Sequence, residues 1–597
     1  MKSLLYTLLL LLFTTLANAQ PIPVELIETE DGWQLLRGGE PFELKGAGGE
    51  NAWELLVESG GNATRTWGVG DNLMEQLDMA HQLGLAVVVG HWLGHERHGF
   101  DYDNEEMVQE QFDRVKADVL KYKNHPAVLM WGVGNEMEGF DTGDNPKIWQ
   151  HVQDIALMIK EVDPYHPTMT VTAEIGGGRI ESINTIASAI DIHGINSYGG
   201  FPSVVERYRA QGGTKPVIIT EFGPPGTWEV GTNSFGAPPE LTSTQKAEIY
   251  RDAYTNGCIN QSDLCLGGFA FIWGYKMEAT ATWFGMFLPS GEKLGAVDVM
   301  TEIWSGEKPE NLSPEIKRFE LNSPEIVNQG DELNIELEVS DPNNDELNIE
   351  WRVLGEATQY FTGGDAQAVP LEFDGIIQAS SIEGAQLIAP GPGIYRLYAT
   401  IRDENGGAAV ANIPFKVNDN DSESDLESTQ ALLKLPIKVY SNEAPQPWTP
   451  SGWMGNTEKL EMDWQSNEDT HTGETSIKVY YRGFDNWVGV TWQHPMNDWG
   501  DLAGGYNLTG SEKLTFWAKG KNGDEVISFG VGILKNDKEY YDTAFSELND
   551  VKLTDEWKQY SIDLKGKDLR RIKTPFYWTL GSPGFPVTFY LDDIQFE

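Results

Sequence analysis

Short apolar runs alternating with helical stretches limit what residues 40–304 can fold into. The runs are Phe42–Gly48, Ala63–Trp67, Ala86–His91, Ala127–Val133, Thr168–Thr172, Ile190–Asn196, Val217–Glu221 and Phe269–Trp273. Ala127-Val128-Leu129-Met130-Trp131 is typical: too short for a helix, bounded by Pro126 and glycines, and apolar throughout, as a strand covered on both faces must be. Between the runs, Asn72–Leu83, Asn104–Lys123, Pro146–Val162 and Thr242–Asn256 have helical spacing. Asn104 offers an N-cap, and Met107, Val108, Phe112, Val115 and Val119 recur near the helical period. Eight such units predict a closed (β/α)8 barrel. An open doubly wound sheet would want a glycine-rich phosphate loop, and Gly46-Ala47-Gly48-Gly49 lacks the acidic partner such a loop uses.

Two of the predicted strands run into glutamates. Trp131-Gly132-Val133-Gly134-Asn135-Glu136 closes the fourth, and Val217-Ile218-Ile219-Thr220-Glu221 is the seventh. Barrels keep their chemistry at these C-terminal strand ends. A carboxylate there can simply cap the next helix, but a buried pair without a use is costly. Cleaving a glycosidic bond needs an acid for the leaving oxygen and a carboxylate facing the anomeric carbon. Two glutamates on separate rigid strand ends supply both.

The motifs around them resemble those of clan-A glycoside hydrolases, with the barrel of family-two β-glycosidases especially close. His125–Glu136 looks like the fourth-strand signature and Ile219-Thr220-Glu221-Phe222-Gly223 like the seventh-strand nucleophile motif. Thr64-Arg65-Thr66-Trp67-Gly68 resembles the second-strand arginine segment, Asn196-Ser197-Tyr198 the sixth-strand Asn-x-Tyr, and Trp273 the eighth-strand aromatic. The resemblance covers residues 40–304 in strand order. It implies Glu136 as acid/base and Glu221 as nucleophile, with Arg65 and Tyr198 hydrogen-bonding Glu221. It also implies Asn135 on the sugar 2-hydroxyl and Trp273 as the floor of the reacting subsite.

Other substrate contacts are read from the loops. In His91-Trp92-Leu93-Gly94-His95-Glu96-Arg97-His98 the spacing is not the HExxH of zinc peptidases, and the segment leaves a strand. His91 and Trp92 are therefore assigned to substrate rather than metal. Trp228 and Trp283 are sugar platforms on loops, whereas Glu138, Asp141 and Asp144 are assigned to loop solvation.

A length of 597 residues allows three to four domains. Lys2, the apolar stretch Leu4–Phe13 and Ala17-Asn18-Ala19 make residues 1–19 a signal peptide, with no cysteine after the cleavage site to carry a lipid anchor. The expected location is secreted or periplasmic. No later run reaches the ~20 apolar residues of a membrane span. The net charge of −48 disfavours nucleic acid and anionic membranes as partners. In an exported chain Cys258 and Cys265 read as a disulfide clipping one loop.

The expected domains are a catalytic barrel over residues 20–310, an immunoglobulin- or PKD-like β-sandwich over 311–418, an acidic linker over 419–434 and a jelly-roll carbohydrate-binding-like module over 435–597. Nine of the 20 tryptophans fall in the last, and Trp448, Trp453 and Trp487 are the sugar-binding candidates because turn residues surround them. Tyr590-Leu591-Asp592-Asp593-Ile594 resembles the closing strand of such modules, which implies a structural calcium held with the help of Asp593. No cofactor is expected for catalysis.

Family-two exo-enzymes carry sandwich domains ahead of the barrel. Here about 20 residues separate Gln20 from the first predicted strand, so exo activity does not carry over with the resemblance. The expectation is a monomeric, retaining endo-β-glycanase acting on a polysaccharide, with laminarin-like β-1,3-glucan as the first choice. A β-mannanase or another β-glycanase or exo-β-glycosidase is the alternative, and a non-catalytic glycan-binding protein is the rival of a different class.

Overall fold

The computed structural model describes residues 20–139, 143–357, 360, 367, 369–391, 393–418, 432–433, 435–441, 447–483, 486–502, 504–581 and 583–597. The signal sequence, Asp141 and nearly all of the acidic linker lie outside them. The described chain forms two compact units, one of residues 1–223, 249–273 and 300–307, the other of 224–248, 274–299 and 308–597.

In the first unit a three-stranded antiparallel sheet, β1 (Val24–Thr29), β2 (Gly32–Arg37) and β3 (Glu40–Pro41), precedes a closed barrel. The barrel strands are β4 (Leu44–Gly48), β5 (Ala63–Arg65), β6 (Ala86–His91), β7 (Val128–Asn135), β8 (Thr168–Ala173), β9 (Ile192–Asn196), β10 (Val217–Phe222) and β11 (Cys265–Phe271). They pair in sequence order, all parallel, and β11 closes on β4. All eight predicted strands are present, with ends shifted by a few residues. Around them lie α1 (Trp53–Glu58), α2 (Leu73–Leu83), α3 (Glu105–Tyr122), α4 (Pro146–Val162), α5 (Arg179–Thr185), α6 (Phe201–Ala210), α7 (Ser243–Gly257) and α8 (Gly295–Ser305).

Local chemistry sets the helix starts. Asn104 accepts hydrogen bonds from Glu106 N and Met107 N, and Asn145 accepts from Lys147 N with Pro146 in the first turn. Thr242 and Gln245 cap each other reciprocally at the start of α7. Every residue of β7 is buried, and burying Val128, Leu129 and Met130 contributes about 1.5–3 kcal/mol each.

The hairpin β1–β2 went unread in the sequence, although Val24-Glu25-Leu26 alternates and Asp31-Gly32 marks a turn. Val24 and Leu35 join the barrel-floor core with Leu44, Met130, Ile218 and Phe269. Val24 N donates to Tyr165 O and Trp33 N to Asp263 O, both in loops that lead into barrel strands, so the hairpin covers the N-terminal end. That leaves the opposite end for chemistry. Cys258 and Cys265 are disulfide-bonded, Cα atoms 5.3 Å apart, between α7 and β11.

The second unit carries two pairs of antiparallel-rich sheets. In the first pair, strands Glu332–Ser340 and Gly384–Ile388 face Asn348–Gly355, Gly393–Arg402 and Gly407–Val417 across a core of Leu333, Leu387, Val353, Leu397 and Phe415. Strand Lys293–Leu294, from the chain between β11 and α8, extends this pair by pairing with Gly407–Ala408. In the last pair, Ser476–Tyr481, Lys513–Gly520 and Val587–Phe596 face Val488–Gln493, Val526–Val531 and Tyr577–Leu580, sharing Val479, Phe516, Leu591, Val490, Phe529 and Trp578. No helix among the described residues is long and apolar enough to cross a membrane.

Candidate active site

Four parallel strand ends deliver the polar residues of the first unit. Arg65 ends β5, Asn135 ends β7, Asn196 ends β9, and Thr220 and Glu221 lie at the end of β10. After Asn135 the chain leaves the strand abruptly, with Gly134 at φ +80° and Glu136 at φ +53°. At φ +80° Gly134 sits in the left-handed region that strains a residue with a side chain, so the bend favours glycine. Glu136 is held in that conformation by its own N–H, which donates to Val171 O at 2.9 Å.

Arg65 is 4% exposed and links the strand ends. Its Nη1 donates to Thr220 O at 2.7 Å and its Nη2 to Asn135 Oδ1 at 2.9 Å. Its contact with Glu221 Oε1 is long, 3.5 Å. The expected pairing of Arg65 with Glu221 is thus an ion pair at the edge of hydrogen-bond range. The short donors on Glu221 are Tyr198 Oη, 2.8 Å from Oε2, and Trp67 Nε1, 2.7 Å from Oε1. Tyr198 was read from the sequence and Trp67 was not, because an aromatic two residues past an arginine looks like core until its indole N–H has a partner.

Asn196 belongs to the Asn-x-Tyr motif, which by itself assigns it no role. Its Nδ2 donates to Glu136 Oε1 at 2.7 Å, and its Oδ1 accepts from Thr220 Oγ1 at 2.7 Å. His95 was also missed. Its Nε2 lies 2.9 Å from Asn135 O, which as a carbonyl accepts, so Nε2 carries the proton there. The His95 ring is sandwiched between Trp92 at 4.7 Å and His98 at 5.5 Å. The histidines of this loop brace the Asn135 peptide.

Charge in this cluster is unbalanced. Among the described residues Glu136 and Glu221 share one nearby cation, Arg65. Burial pushes the Glu136 carboxyl well above the usual carboxylate range and the charge of Glu221 pushes it further, against the hydrogen bond from Asn196. Arg65 is held below its ordinary value by burial. Glu138, read as loop solvation, is instead 6% exposed and pairs with Arg179 Nε at 2.8 Å while accepting from Ala173 N at 2.9 Å. It is a buried structural ion pair whose charge adds to the upward push on Glu136.

Several expected substrate contacts are placed elsewhere. His91 is 1% exposed, stacked on Trp131, with Nδ1 3.9 Å from Asp118 of α3. It packs behind the strand rather than at its end. Trp273 is fully buried, its ring tilted 37° against that of Trp304, with Nε1 donating to Ala52 O at 3.2 Å, so it presents no face to a sugar in this structure. Trp283 is buried within the second unit, donating to Pro225 O at 2.9 Å. Trp448 is core in the C-terminal pair of sheets. By contrast Trp92, Trp228, Trp453 and Trp487 are exposed.

The closing strand of the C-terminal domain carries a candidate metal cluster. His471, Asp592 and Asp593 each place a ligand atom within 4.8 Å of the others. Asp592 is buried, with Oδ2 accepting from His471 N and Thr472 N, and burial raises its carboxyl above the ordinary value. Two carboxylates suit calcium, consistent with the expected structural ion; the imidazole is the one donor outside calcium's oxygen preference. A second cluster, Asp341, Asp345 and Asp403, lies in the middle domain.

Residues 54–265 match the family model described as "Glycosyl hydrolases family 2, TIM barrel domain", and residues 436–597 match "Carbohydrate binding domain 30". No curated protein matches the chain. Similar solved structures include a β-D-glucuronidase from Dictyoglomus thermophilum, 19% identical over 48% of this chain and 54% of that one, TM-score 0.38. A Bacteroides uniformis β-glucuronidase is 12% identical over 96% of this chain and 67% of that one, TM-score 0.37. An endo-β-1,4-mannanase from Thermotoga petrophila is 13% identical over 63% of this chain and 98% of that one, TM-score 0.32. The chain spans about half the length of the Dictyoglomus protein. The barrel is thus similar to family-two glycosidase barrels, and residues 436–597 are similar to a carbohydrate-binding domain.

Proposed function

We propose that the protein is a retaining glycoside hydrolase acting on a β-linked polysaccharide, with Glu136 as acid/base and Glu221 as nucleophile. The observation that carries this is the asymmetric pair itself. Glu136 is driven toward its protonated form by burial and by the charge of Glu221. Glu221 is aimed by hydrogen bonds from Trp67 and Tyr198. In the first step Glu136 gives its proton to the leaving glycosidic oxygen while Glu221 bonds to the anomeric carbon. Ester formation consumes the Glu221 charge, the push on Glu136 falls, and the same group then takes a proton from the attacking water. Asn135 Oδ1 is occupied by Arg65, so its amide N–H is the end offered to the sugar 2-hydroxyl.

The family-two barrel match supports the broad substrate class, a β-mannanase or another β-glycanase or exo-β-glycosidase, better than the narrower choice of β-1,3-glucan. We keep endo-cleavage of β-1,3-glucan as the first substrate to try within that class. The exposed Trp92 and Trp228 are candidate sugar contacts of the enzyme, and Trp453 and Trp487 those of the C-terminal domain, which together with the middle domain we read as β-sandwiches. Export by residues 1–19 completes the reading.

A reducing-end screen over β-1,3-, β-1,4- and β-1,6-glucans, mannan and galactan tests it. Release of oligomers first supports endo-cleavage, and release of monosaccharide alone supports exo-cleavage. Binding without release from any β-glycan would replace the proposal with a non-catalytic glycan-binding protein.

A further inference from the structure

We infer that Trp67 is a catalytic residue of the second half-reaction, the hydrogen-bond donor that receives the carboxylate charge as the glycosyl ester on Glu221 breaks. This rests on the reading of the barrel as a retaining glycosidase.

The two oxygens of Glu221 are held differently. Oε1 faces two N–H groups, Trp67 Nε1 at 2.7 Å and Arg65 Nη1 at 3.5 Å. Oε2 faces one hydroxyl, Tyr198 Oη at 2.8 Å. An indole N–H points where its ring points, and the Trp67 ring is pinned. Its edge contacts Phe271 at 6.0 Å, and the Arg65 guanidinium carbon lies 4.9 Å from its centroid. A phenol proton can swing about its C–O bond. Oε2 can therefore be freed of its donor without moving any heavy atom, and Oε1 cannot. The geometry makes Oε2 the oxygen that bonds to the anomeric carbon and Oε1 the carbonyl oxygen of the ester.

The consequence is unequal for the two steps. A hydrogen bond to a carboxylate is about twice as strong as one to a neutral acceptor. In the first step Glu221 loses charge, so the Trp67 bond weakens as the barrier is climbed. In the second step the bond between the anomeric carbon and Oε2 breaks and its electron pair returns to Glu221. A water oxygen bonds to that carbon, and the water proton passes to Glu136. Negative charge reappears on Oε1 in front of Trp67, so the donor strengthens toward the transition state and accelerates only this step.

The test uses the full chain and 2,4-dinitrophenyl β-glycosides of glucose, laminaribiose, cellobiose and mannobiose, whose leaving group makes the first step fast. Trp67→Phe keeps an aromatic ring and removes the N–H. The expected result is a kcat about 10- to 100-fold lower, the range for losing one charge-assisted donor. KM should fall alongside it, kcat/KM should change less than about fivefold, and a dinitrophenolate burst near one per enzyme should appear. If Trp67→Phe does not fold, β-(3-benzothienyl)alanine at position 67 keeps the ring shape without the N–H and is read the same way. A variant with unchanged kcat overturns the inference. So does one whose kcat and kcat/KM fall together without a burst, which is what loss of a merely structural ring would give. If the wild type cleaves neither these glycosides nor any glycan of the reducing-end screen, the glycosidase reading falls and this inference with it; if it cleaves another glycan, the dinitrophenyl glycoside of that sugar takes their place. An active wild type with an unaffected variant sinks this inference alone.

Discussion

Two of the buried ionic clusters among the described residues, one in each compact unit, are built on different charge balances. In the barrel, Glu136, Glu221 and Glu138 meet Arg65 and Arg179, three acids against two bases. In the second unit Glu240 and Glu356 meet Lys246 and Arg396. Glu240 accepts from Lys246 Nζ at 2.5 Å, Thr280 Oγ1 at 2.5 Å, Thr282 Oγ1 at 2.8 Å and Asn412 Nδ2 at 2.6 Å. Arg396 holds Glu356 with two hydrogen bonds, at 2.8 and 2.9 Å, and also donates to Asn412 Oδ1 and Pro238 O. Burial alone would raise the Glu240 carboxyl, but Lys246 and Arg396 outweigh it and the net shift is downward. Glu136 moves the other way because burial and then the charge of Glu221 raise it by more than Asn196 and Arg65 lower it. Within the second cluster burial still raises Glu356 despite Arg396, so it is Glu240, beside two cations and holding four hydrogen bonds, that contrasts with Glu136.

The second cluster also explains where two long loops belong. Pro238, Glu240 and Lys246 lie between β10 and the body of α7, and Thr280 and Thr282 lie between β11 and α8. In number these are barrel loops, yet both fold into the second unit with Arg396 and Asn412.

Substitutions can break this contrast, beginning with the largest effect. Glu221→Ala should abolish glycoside hydrolysis, by on the order of 10⁴-fold or more in kcat, while leaving the thermal midpoint no lower than wild type. Release of sugar by that variant at a rate near wild type would remove Glu221 from the mechanism. Arg396→Met should do the reverse in kind, costing about 3–5 kcal/mol of stability by leaving Glu356 without its cation and Glu240 with Lys246 alone. Denaturant titration reads it, and a loss under about 1 kcal/mol would show the cluster does not stabilise the fold.

Glu136→Gln should stabilise. The folded carboxyl is raised above its unfolded value, so in wild type the folded state binds the extra proton and stability falls as pH rises through that interval. Removing the charge removes the loss, with a gain of a few degrees in midpoint near neutral pH that shrinks toward pH 4. A gain independent of pH would point to packing instead. Glu138→Gln is the smallest change. It deletes one of the charges pushing Glu136 up, so the basic limb of kcat/KM should move to lower pH by less than about one unit. A shift upward would contradict the assigned charge balance.

How much of this was readable beforehand differs by element. The eight barrel strands and the starts of α3, α4 and α7 are set by local signals, namely apolar runs, Asn or Thr caps and a proline in the first turn. Glu136 and Glu221 were readable because a carboxylate ending a buried strand is chemically conspicuous. Exposed and buried tryptophans were not separable. Trp453 is 44% exposed and Trp448 3%, although both sit among turn residues. Trp273 and Trp283 share this fault: an aromatic near a strand end suits a sugar or a core equally.

The sequence by itself determined the barrel, its order of strands and the two carboxylates, because strand signals and their terminal residues are local and repeat along the chain. Tertiary structure alone decided that Trp67 rather than Arg65 is the close N–H donor on Glu221, that Asn196 holds Glu136, and that His91 faces α3 instead of the strand end. Those outcomes depend on which side chains from strands far apart in sequence meet at one end of a closed sheet. That is fixed by barrel closure and register, and it leaves no trace in any single stretch of residues.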